Sequence, residues 1–212
     1  MAADFDEVPS PIDLRSRADA HTWAREADVK RPWRQQVRVA IAETLCLSSP
    51  TIRRVLEIGS GPGSLAAQIL ATVPLESYTL FDFSQPMLDL SRERLHDDPR
   101  ATFVLGDFSQ PDWTRALPVP FDAVVSMQAV HEIRHKRRVL ALYQQIHDVL
   151  RDDGLCVVCD HVPADASARL TSLHSTEHEQ HEALTGAGFE DARTLLLING
   201  LYVCSGRRPR GS

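Results

Sequence analysis

The sequence lacks the features that direct a protein to a membrane or bind it broadly to polyanions. No apolar run among the 212 residues approaches the ~20 residues of a membrane span. The N-terminus has no basic segment followed by an apolar one, so we predict no secretory signal and expect a cytoplasmic protein. A net charge of −6 counts against a nucleic-acid partner, because phosphate backbones attract an excess of positive charge.

Cysteine is scarce too, and its spacing does not indicate a metal site. The four cysteines include one CxxC pair, Cys156 and Cys159, within the apolar run LCVVCDH. Side chains three apart on a strand point to opposite faces, so the two thiols cannot easily share one ion. Because the sequence has no second CxxC, we interpret both as core residues and predict no metal.

Strand-like and helical segments alternate along most of the chain. Strands are predicted near 53–58, 77–82, 101–107, 121–126 and 154–160, and helices near 64–71, 86–95 and 135–150. Such alternation predicts an α/β fold built on an open, mainly parallel sheet.

The last part of the chain follows a different pattern. After a helix predicted near 176–187, ARTLLLI and LYVCSG flank Asn199-Gly200, a dipeptide that tolerates the positive φ angles of a tight hairpin turn. The sheet is therefore predicted to finish with an antiparallel hairpin. We divide the chain into an N-terminal helical cap (1–48), a main domain (49–208) and a tail (209–212).

A glycine-rich loop follows the first strand, in VLEIGSGPG at 55–63. Loops of this kind let a backbone approach a ligand at the start of a helix. Gly61 to Ala66 fits the G-x-G-x-x-G/A pattern of nicotinamide enzymes, and Asp82 follows at about the ~20 residues expected of a ribose-binding acid.

Other features argue against a nicotinamide enzyme. Glu57 stands at the strand end, where it would repel a pyrophosphate. No Tyr is followed four residues later by Lys, since Tyr143 has His147 at that spacing. The chain is also too short for a separate substrate domain.

Several motifs together make the chain resemble a known family. They are EIGSGPG (57–63), FDFSQPML (81–88), GDF (106–108), FDAVVSMQAVHEI and GLCVVCDH, followed by a closing AGFEDARTLLLINGLYVCSGR. In this order and spacing they resemble the class I S-adenosylmethionine-dependent methyltransferases of the small-molecule type, from about Trp23 to Arg208. The resemblance implies a Rossmann-like, three-layer αβα fold. Its seven-stranded sheet has the order 3-2-1-4-5-7-6, with the seventh strand antiparallel.

The resemblance also implies S-adenosylmethionine as cofactor, S-adenosylhomocysteine as product, and a set of binding residues. Asp82 would accept from the ribose hydroxyls and Asp107 from the adenine amino group, although each could simply cap a turn or a helix. The implied cofactor residues are Glu57, Gly59, Gly61, Gly63, Asp82, Phe83, Met87, Gly106, Asp107, Phe108, Ser126 and Met127.

Histidines are the candidate catalytic groups. His131 and His161 follow the fourth and fifth strands, on the edge where open α/β sheets bind ligands, and either could take a proton from an acceptor hydroxyl or orient a loop. His174, His178 and His181 are spaced to share a helical face, which we interpret as a solvated or rim-lining face.

The methyl acceptor is constrained mainly by what is missing. The fourth strand is followed by SMQA, without the Asn/Asp-Pro-Pro-aromatic motif of enzymes that methylate exocyclic amino groups, and no cysteine follows a proline. We therefore predict transfer to O or N of a small molecule. Trp23 and Trp33 either form a lid over that site or anchor the N-terminal helix. A homodimer, a non-catalytic cofactor-binding subunit, and a protein or RNA substrate remain open.

Overall fold

The computed structural model describes residues 7–48, 52–96, 98–163 and 168–211, which form one seven-stranded sheet with helices on both faces. The strands are β1 (Arg54–Ile58), β2 (Ser77–Asp82), β3 (Ala101–Leu105), β4 (Phe121–Met127), β5 (Leu150–His161), β6 (Glu190–Ile198) and β7 (Leu201–Arg207). The helices are α1 (Arg17–Lys30), α2 (Arg34–Ser48), α3 (Ser64–Thr72), α4 (Gln85–Leu95), α5 (Val139–Val149), α6 (Ala168–Leu173) and α7 (Glu177–Gly186).

The strand order is β3-β2-β1-β4-β5-β7-β6. Strands β1 to β5 pair in parallel, whereas β7 runs antiparallel to both β5 and β6. The turn between β6 and β7 is Asn199-Gly200, and both residues have positive φ. The predicted fold class and the terminal hairpin are thus confirmed.

The central strands are apolar along their length because helices cover both faces of a parallel sheet. Val55, Leu56 and Ile58 of β1 are all fully buried. Cys156 and Cys159 also lie in β5 without exposure, one in each of the two clusters that flank the sheet. Their interpretation as core residues is confirmed.

The chain around α5 differs from its predicted structure. Instead of one helix over 135–150, short 3-10 turns at Val130–Ile133 and Lys136–Arg138 precede α5, which begins at Val139. The strand after it begins at Leu150, which pairs with Phe121. The sequence RDDG therefore lies within β5, at an irregularity where Asp153 takes a φ of 62°.

The N-terminal helices differ in how deeply they pack. Val37, Ile41 and Leu45 of α2 are fully buried in the cluster on one face of the sheet, so α2 belongs to the sandwich itself. Ahead of α1, residues 7–16 run across the edge of the sheet where β1 to β5 end, and the Ser84 hydroxyl donates to Leu14 O.

Candidate active site

A cavity of about 690 Å³ lies at the edge where the parallel strands end. Its size is within the range of small-molecule sites. The predicted residues that line it are Trp23, Glu57, Gly59, Gly61, Asp82, Phe83, Met87, Phe108, Met127, His131 and His161. The remaining predicted residues, Gly63, Gly106, Asp107, Ser126 and Trp33, pack elsewhere, as described below.

The three glycines of the loop after β1 all have positive φ, but packing explains only two of them. A Cβ on Gly59 would lie 2.2 Å from the Cβ of Ala129, and one on Gly63 would lie 2.9 Å from the Cβ of Ser91. A Cβ on Gly61 would meet nothing within 4 Å. Gly61 lines the cavity, and the position that its Cβ would occupy is therefore open space.

Asp82, the last residue of β2, fixes this loop. Its carboxylate accepts from the N–H of Gly61 at 2.7 Å and from the N–H of Ser84 at 2.9 Å. Burial raises the pKa of Asp82 to about 6, against the lowering effect of these two bonds. The Ser84 hydroxyl caps α4 by accepting from Met87 N, so Asp82 is not needed as the helix cap and stays available to a ligand.

Glu57 has a partner that the sequence did not reveal. Its carboxylate accepts from the Tyr78 hydroxyl at 2.8 Å, and both side chains are buried. Burial raises the pKa of Glu57 to about 8. Tyr78 lies on the neighbouring strand β2, so only the strand register brings the two together.

The GDF segment after β3 has mixed roles. The backbone of Gly106 packs on the ring of Phe81, where a Cβ would lie 2.5 Å from the nearest ring atom. The Asp107 carboxylate accepts from Ser109 N at 3.0 Å and pairs with Arg15 at 3.3 Å, so Asp107 makes the turn contact that was the alternative to adenine binding. It lines a second cavity of about 790 Å³ beneath residues 7–15.

Ser126 and Trp33 support the site from outside. The Ser126 hydroxyl is buried and donates to Ile58 O at 3.1 Å, which ties β4 to β1. Trp33 packs against the core cluster that contains α2. Trp23 does line the cavity, and the Arg34 guanidinium lies 5.2 Å from the centre of its ring.

A buried carboxylate at the end of β5, Asp160, organises two of the histidines. It accepts from His131 Nδ1 at 2.7 Å, from His131 N at 2.9 Å and from His161 N at 2.7 Å. Asp160 is part of the motif GLCVVCDH, from which no role for it was predicted. The feature that could have indicated a role is the position of this acid, between an apolar strand and His161.

The two histidines have opposite pKa shifts. Interaction with Asp160 and Glu132 outweighs burial and raises the pKa of His131 to about 10. Burial lowers the pKa of His161 to about 4, and the positive charges of His131 and Arg31 add to this effect. At neutral pH the pair therefore comprises an imidazolium and a neutral imidazole.

A hydrogen-bond chain fixes the orientation of His161. The Arg34 guanidinium donates to Gln128 Oε1, so the Gln128 amide nitrogen points to His161 Nε2, 2.9 Å away. Since that amide nitrogen can only donate, His161 Nε2 accepts, and the ring proton sits on Nδ1. Gln128 and Arg34 both line the cavity, and neither was predicted as a site residue from the sequence.

His174 joins this group, and the predicted shared face of His174, His178 and His181 is wrong. Helix α7 starts only after the capping residue Thr176, so His174 precedes it. The His174 ring centre lies 5.5 Å from that of His131 and 5.3 Å from that of His161. His178 is 82% exposed, whereas His181 contacts Thr194.

The same residues include a set that could hold a metal. Among the described residues, His131, Asp160 and His161 offer ligand atoms within 4.8 Å of one another. The Asp160 carboxylate in this set already accepts three N–H groups. We therefore interpret the group as a hydrogen-bonded pair with a neighbouring imidazole.

This strand order, with a glycine loop after β1 and an acid ending β2, defines the class I S-adenosylmethionine-dependent methyltransferase fold. Residues 56–156 match the family model described as a methyltransferase domain. This match and the shared strand order together confirm the resemblance drawn from the motifs of the chain.

Individual proteins are similar over most of this chain. Demethylmenaquinone methyltransferase from Thermotoga maritima is 26% identical over 172 residues, which cover 81% of this chain and 66% of that protein. An O-methyltransferase family protein from Burkholderia thailandensis has a TM-score of 0.74 and 17% identity, covering 94% of this chain and 62% of that one. Human N-acetylserotonin methyltransferase, solved with S-adenosylmethionine, has a TM-score of 0.68 and 16% identity, covering 92% and 57%.

The chain spans between 40% and 66% of the length of the curated relatives that it matches. Within the described part of the chain, no helix combines the length and apolarity needed to cross a membrane.

Proposed function

We propose that this protein transfers a methyl group from S-adenosylmethionine to an oxygen or nitrogen of a small molecule. The observation that carries the proposal is that one cavity is lined by the glycine loop, by Asp82 and by His131, which Asp160 holds in place. Such a site combines a place for the donor with a group that can move a proton.

The residues of the cavity fit this cofactor. Gly61 leaves open space where a side chain would stand, and the neighbouring Ser60 hydroxyl is buried without a hydrogen-bond partner among the described residues. Asp82 can accept from a ribose, and Glu57 can accept from an ammonium group. Phe83, Met87 and Phe108 provide the apolar wall that a purine ring needs.

The cofactor supplies an already activated methyl group, so the protein mainly has to align the acceptor and exclude water. His131 is the residue we assign to the acceptor proton. Asp160 holds the Nδ1 side of the ring, which leaves Nε2, 3.3 Å from Glu132, as the atom that takes the proton. For this role the pKa of His131 has to fall from about 10 toward neutral pH when the cofactor binds, and the positive charge of the cofactor's sulfonium acts in that direction.

The acceptor is a small molecule because the cavity is closed on several sides. Residues 10–12, Leu14 and Trp23 cover it from the N-terminal region, and Leu170, Leu173 and His174 border it after β5. The demethylmenaquinone methyltransferase named above is by its name an enzyme of small-molecule methylation. A hydroxyl acceptor suits His131 best, since a hydroxyl loses its proton on transfer.

Turnover can be measured as the release of S-adenosylhomocysteine from S-adenosylmethionine in the presence of small phenols and amines. We expect release with at least one acceptor, and a loss of about a hundredfold in kcat for His131→Gln, the scale of a missing general base. Binding of S-adenosylhomocysteine should stay unchanged in that variant. His178→Gln is the matched control, because His178 is largely exposed on α7.

Two results would count against the proposal. Full turnover by His131→Gln would remove His131 from the reaction. Cofactor binding without release of product from any acceptor would favour the non-catalytic subunit instead.

A further inference from the structure

Three arginines line the cavity, and two of them are already paired. Arg34 donates to Asp28 Oδ1 at 2.9 Å and to Gln128. Arg134 donates to Glu132 at 3.1 Å and to Val8 O at 2.6 Å. These two guanidinium groups are part of the architecture of the site.

Arg31 is different. It follows the last residue of α1 and its side chain lines the cavity, half-buried. Across the described ranges 7–48, 52–96, 98–163 and 168–211, its guanidinium has no hydrogen bond or ion pair. A guanidinium is charged at every physiological pH and carries five donors, which leaves Arg31 able to bind an anion.

The acids around this end of the cavity are already occupied. Asp28 pairs with Arg34 and Arg38, and Glu132 with His131 and Arg134. Asp160 already accepts three hydrogen bonds, two from His131 and one from His161. An anion for Arg31 must therefore come with a ligand.

The apolar walls of the cavity also constrain the rest of the ligand. Trp23, Met127 and Leu173 present apolar surface to the same cavity. Arg31 lines the same cavity as His131, His161 and His174, so its guanidinium and the histidine group border one space. Among the described residues that line the cavity, Arg31 is thus the guanidinium without a hydrogen-bonded partner, and the space around it is largely apolar.

We propose that Arg31 binds a carboxylate or similar oxyanion on the methyl acceptor, so that the substrates are small acids with an apolar body. This inference rests on the proposed function, since it names the class of acceptor. The same chemistry has a second source, the amino-acid carboxylate of the cofactor, and the experiment has to separate the two.

The first arm of the experiment measures the cofactor side by calorimetry. Arg31→Gln should bind S-adenosylhomocysteine with the same affinity as the wild type. The control is Arg25→Gln, which removes an equal charge from the exposed side of α1. If Arg31→Gln weakens S-adenosylhomocysteine but not 5′-methylthioadenosine, which lacks the carboxylate, then the anion is the cofactor's and the acceptor assignment is overturned.

The second arm measures the acceptor side on protein saturated with S-adenosylhomocysteine. Matched pairs of acid and amide are titrated: 4-hydroxybenzoate, 3-phenylpropanoate and 2-naphthoate, each against its amide. At least one acid should bind about tenfold more tightly than its amide, the scale of one charge-assisted hydrogen bond. Arg31→Gln should remove this preference, Arg31→Lys should keep part of it, and Arg25→Gln all of it.

The inference is overturned if no acid binds more tightly than its amide, or if the preference survives in Arg31→Gln. Failure of the proposed function looks different: S-adenosylhomocysteine does not bind to the wild type, or it binds and no acceptor, whether acid or amide, gives turnover.

Discussion

At the scale of single residues, Asp160 shapes the candidate site more than any other side chain. It is buried at the end of β5 and holds both the ring and the backbone of His131. A buried carboxylate without such partners would be costly, so the pair stabilises the fold while it positions the ring.

The pairing makes a prediction about stability and pH. The folded pKa of His131 is about 10, above its ordinary 6.5, so its stabilising contribution is complete below pH 6.5 and is lost as the pH rises toward 10. The folded pKa of Asp160 is about 2, below its ordinary 3.8, so its contribution is lost as the pH falls from 3.8 toward 2.

Urea unfolding of the wild type and of His131→Gln across the pH window from 6.5 to about 10 checks the basic half of this prediction. The difference in unfolding free energy between the two proteins should shrink steadily through that window. His178→Gln should follow the wild type throughout. A difference that is constant with pH would mean that the ring is not charged in the folded protein.

The sequence predicted that His131 and His161 lie at the ligand-binding edge of the sheet, but not how they differ. Their positions after β4 and β5 bring them to the same edge of the sheet. The opposite pKa shifts come from the burial of His161 and from the contacts of His131 with Asp160 and Glu132, which depend on side-chain placement in space. No local pattern of residues encodes such contacts.

At the scale of elements, two glycines of the loop after β1 have different roles: Gly59 serves packing, and Gly61 leaves space for a ligand. Gly59 contacts Ala129 of the segment after β4, whereas the corresponding side of Gly61 is open. Both have positive φ, so a side chain is strained at either position. Only at Gly59 does it also collide with another part of the fold.

Gly59→Ala should therefore lower the free energy of unfolding by about 2–4 kcal/mol, from left-handed strain plus overpacking. Gly61→Ala should lower it by only about 1 kcal/mol and should act chiefly on S-adenosylhomocysteine affinity. Urea denaturation and calorimetry measure the two effects separately. Equal losses of stability in both variants would show that Gly61 also serves packing.

Most elements could be predicted from the sequence, because the strands are apolar runs and the hairpin has Asn199-Gly200 at its turn. The segment after β4 could not. Gln128 and Arg134 take positive φ there, which is unusual for such residues. Gln128 is held by tertiary contacts instead: its N–H donates to Cys159 O at 2.7 Å, and its side chain joins Arg34 to His161.

At the scale of the whole molecule, the N-terminal segment 7–15 closes the edge of the sheet over both cavities. Val8 exchanges hydrogen bonds with Arg134, and Arg15 lies over the ring of Phe83 while it pairs with Asp107. These contacts tie a largely exposed segment to the residues that we assign to the cofactor.

Removal of residues 1–15, which leaves the α1 cap Ser16 in place, should speed dissociation of S-adenosylhomocysteine about tenfold, equivalent to about 1.4 kcal/mol. The seven-stranded sheet should remain folded, as judged by circular dichroism, because its core lies elsewhere. The control is removal of 209–212. Arg210 and Gly211 contact Asp152 and Asp153 in β5, and none of these residues lines the cavity. Identical dissociation rates in the two truncated proteins would contradict a covering role.

The central claim is that Asp82 and the glycine loop hold S-adenosylmethionine or its product. The direct measurement is calorimetric titration of S-adenosylhomocysteine into the wild type, Asp82→Asn and Asp89→Asn, the last being an exposed acid on α4. We predict one site per chain, a loss of about tenfold or more for Asp82→Asn, and no change for Asp89→Asn. No binding by the wild type, or equal affinity in Asp82→Asn, would contradict the account.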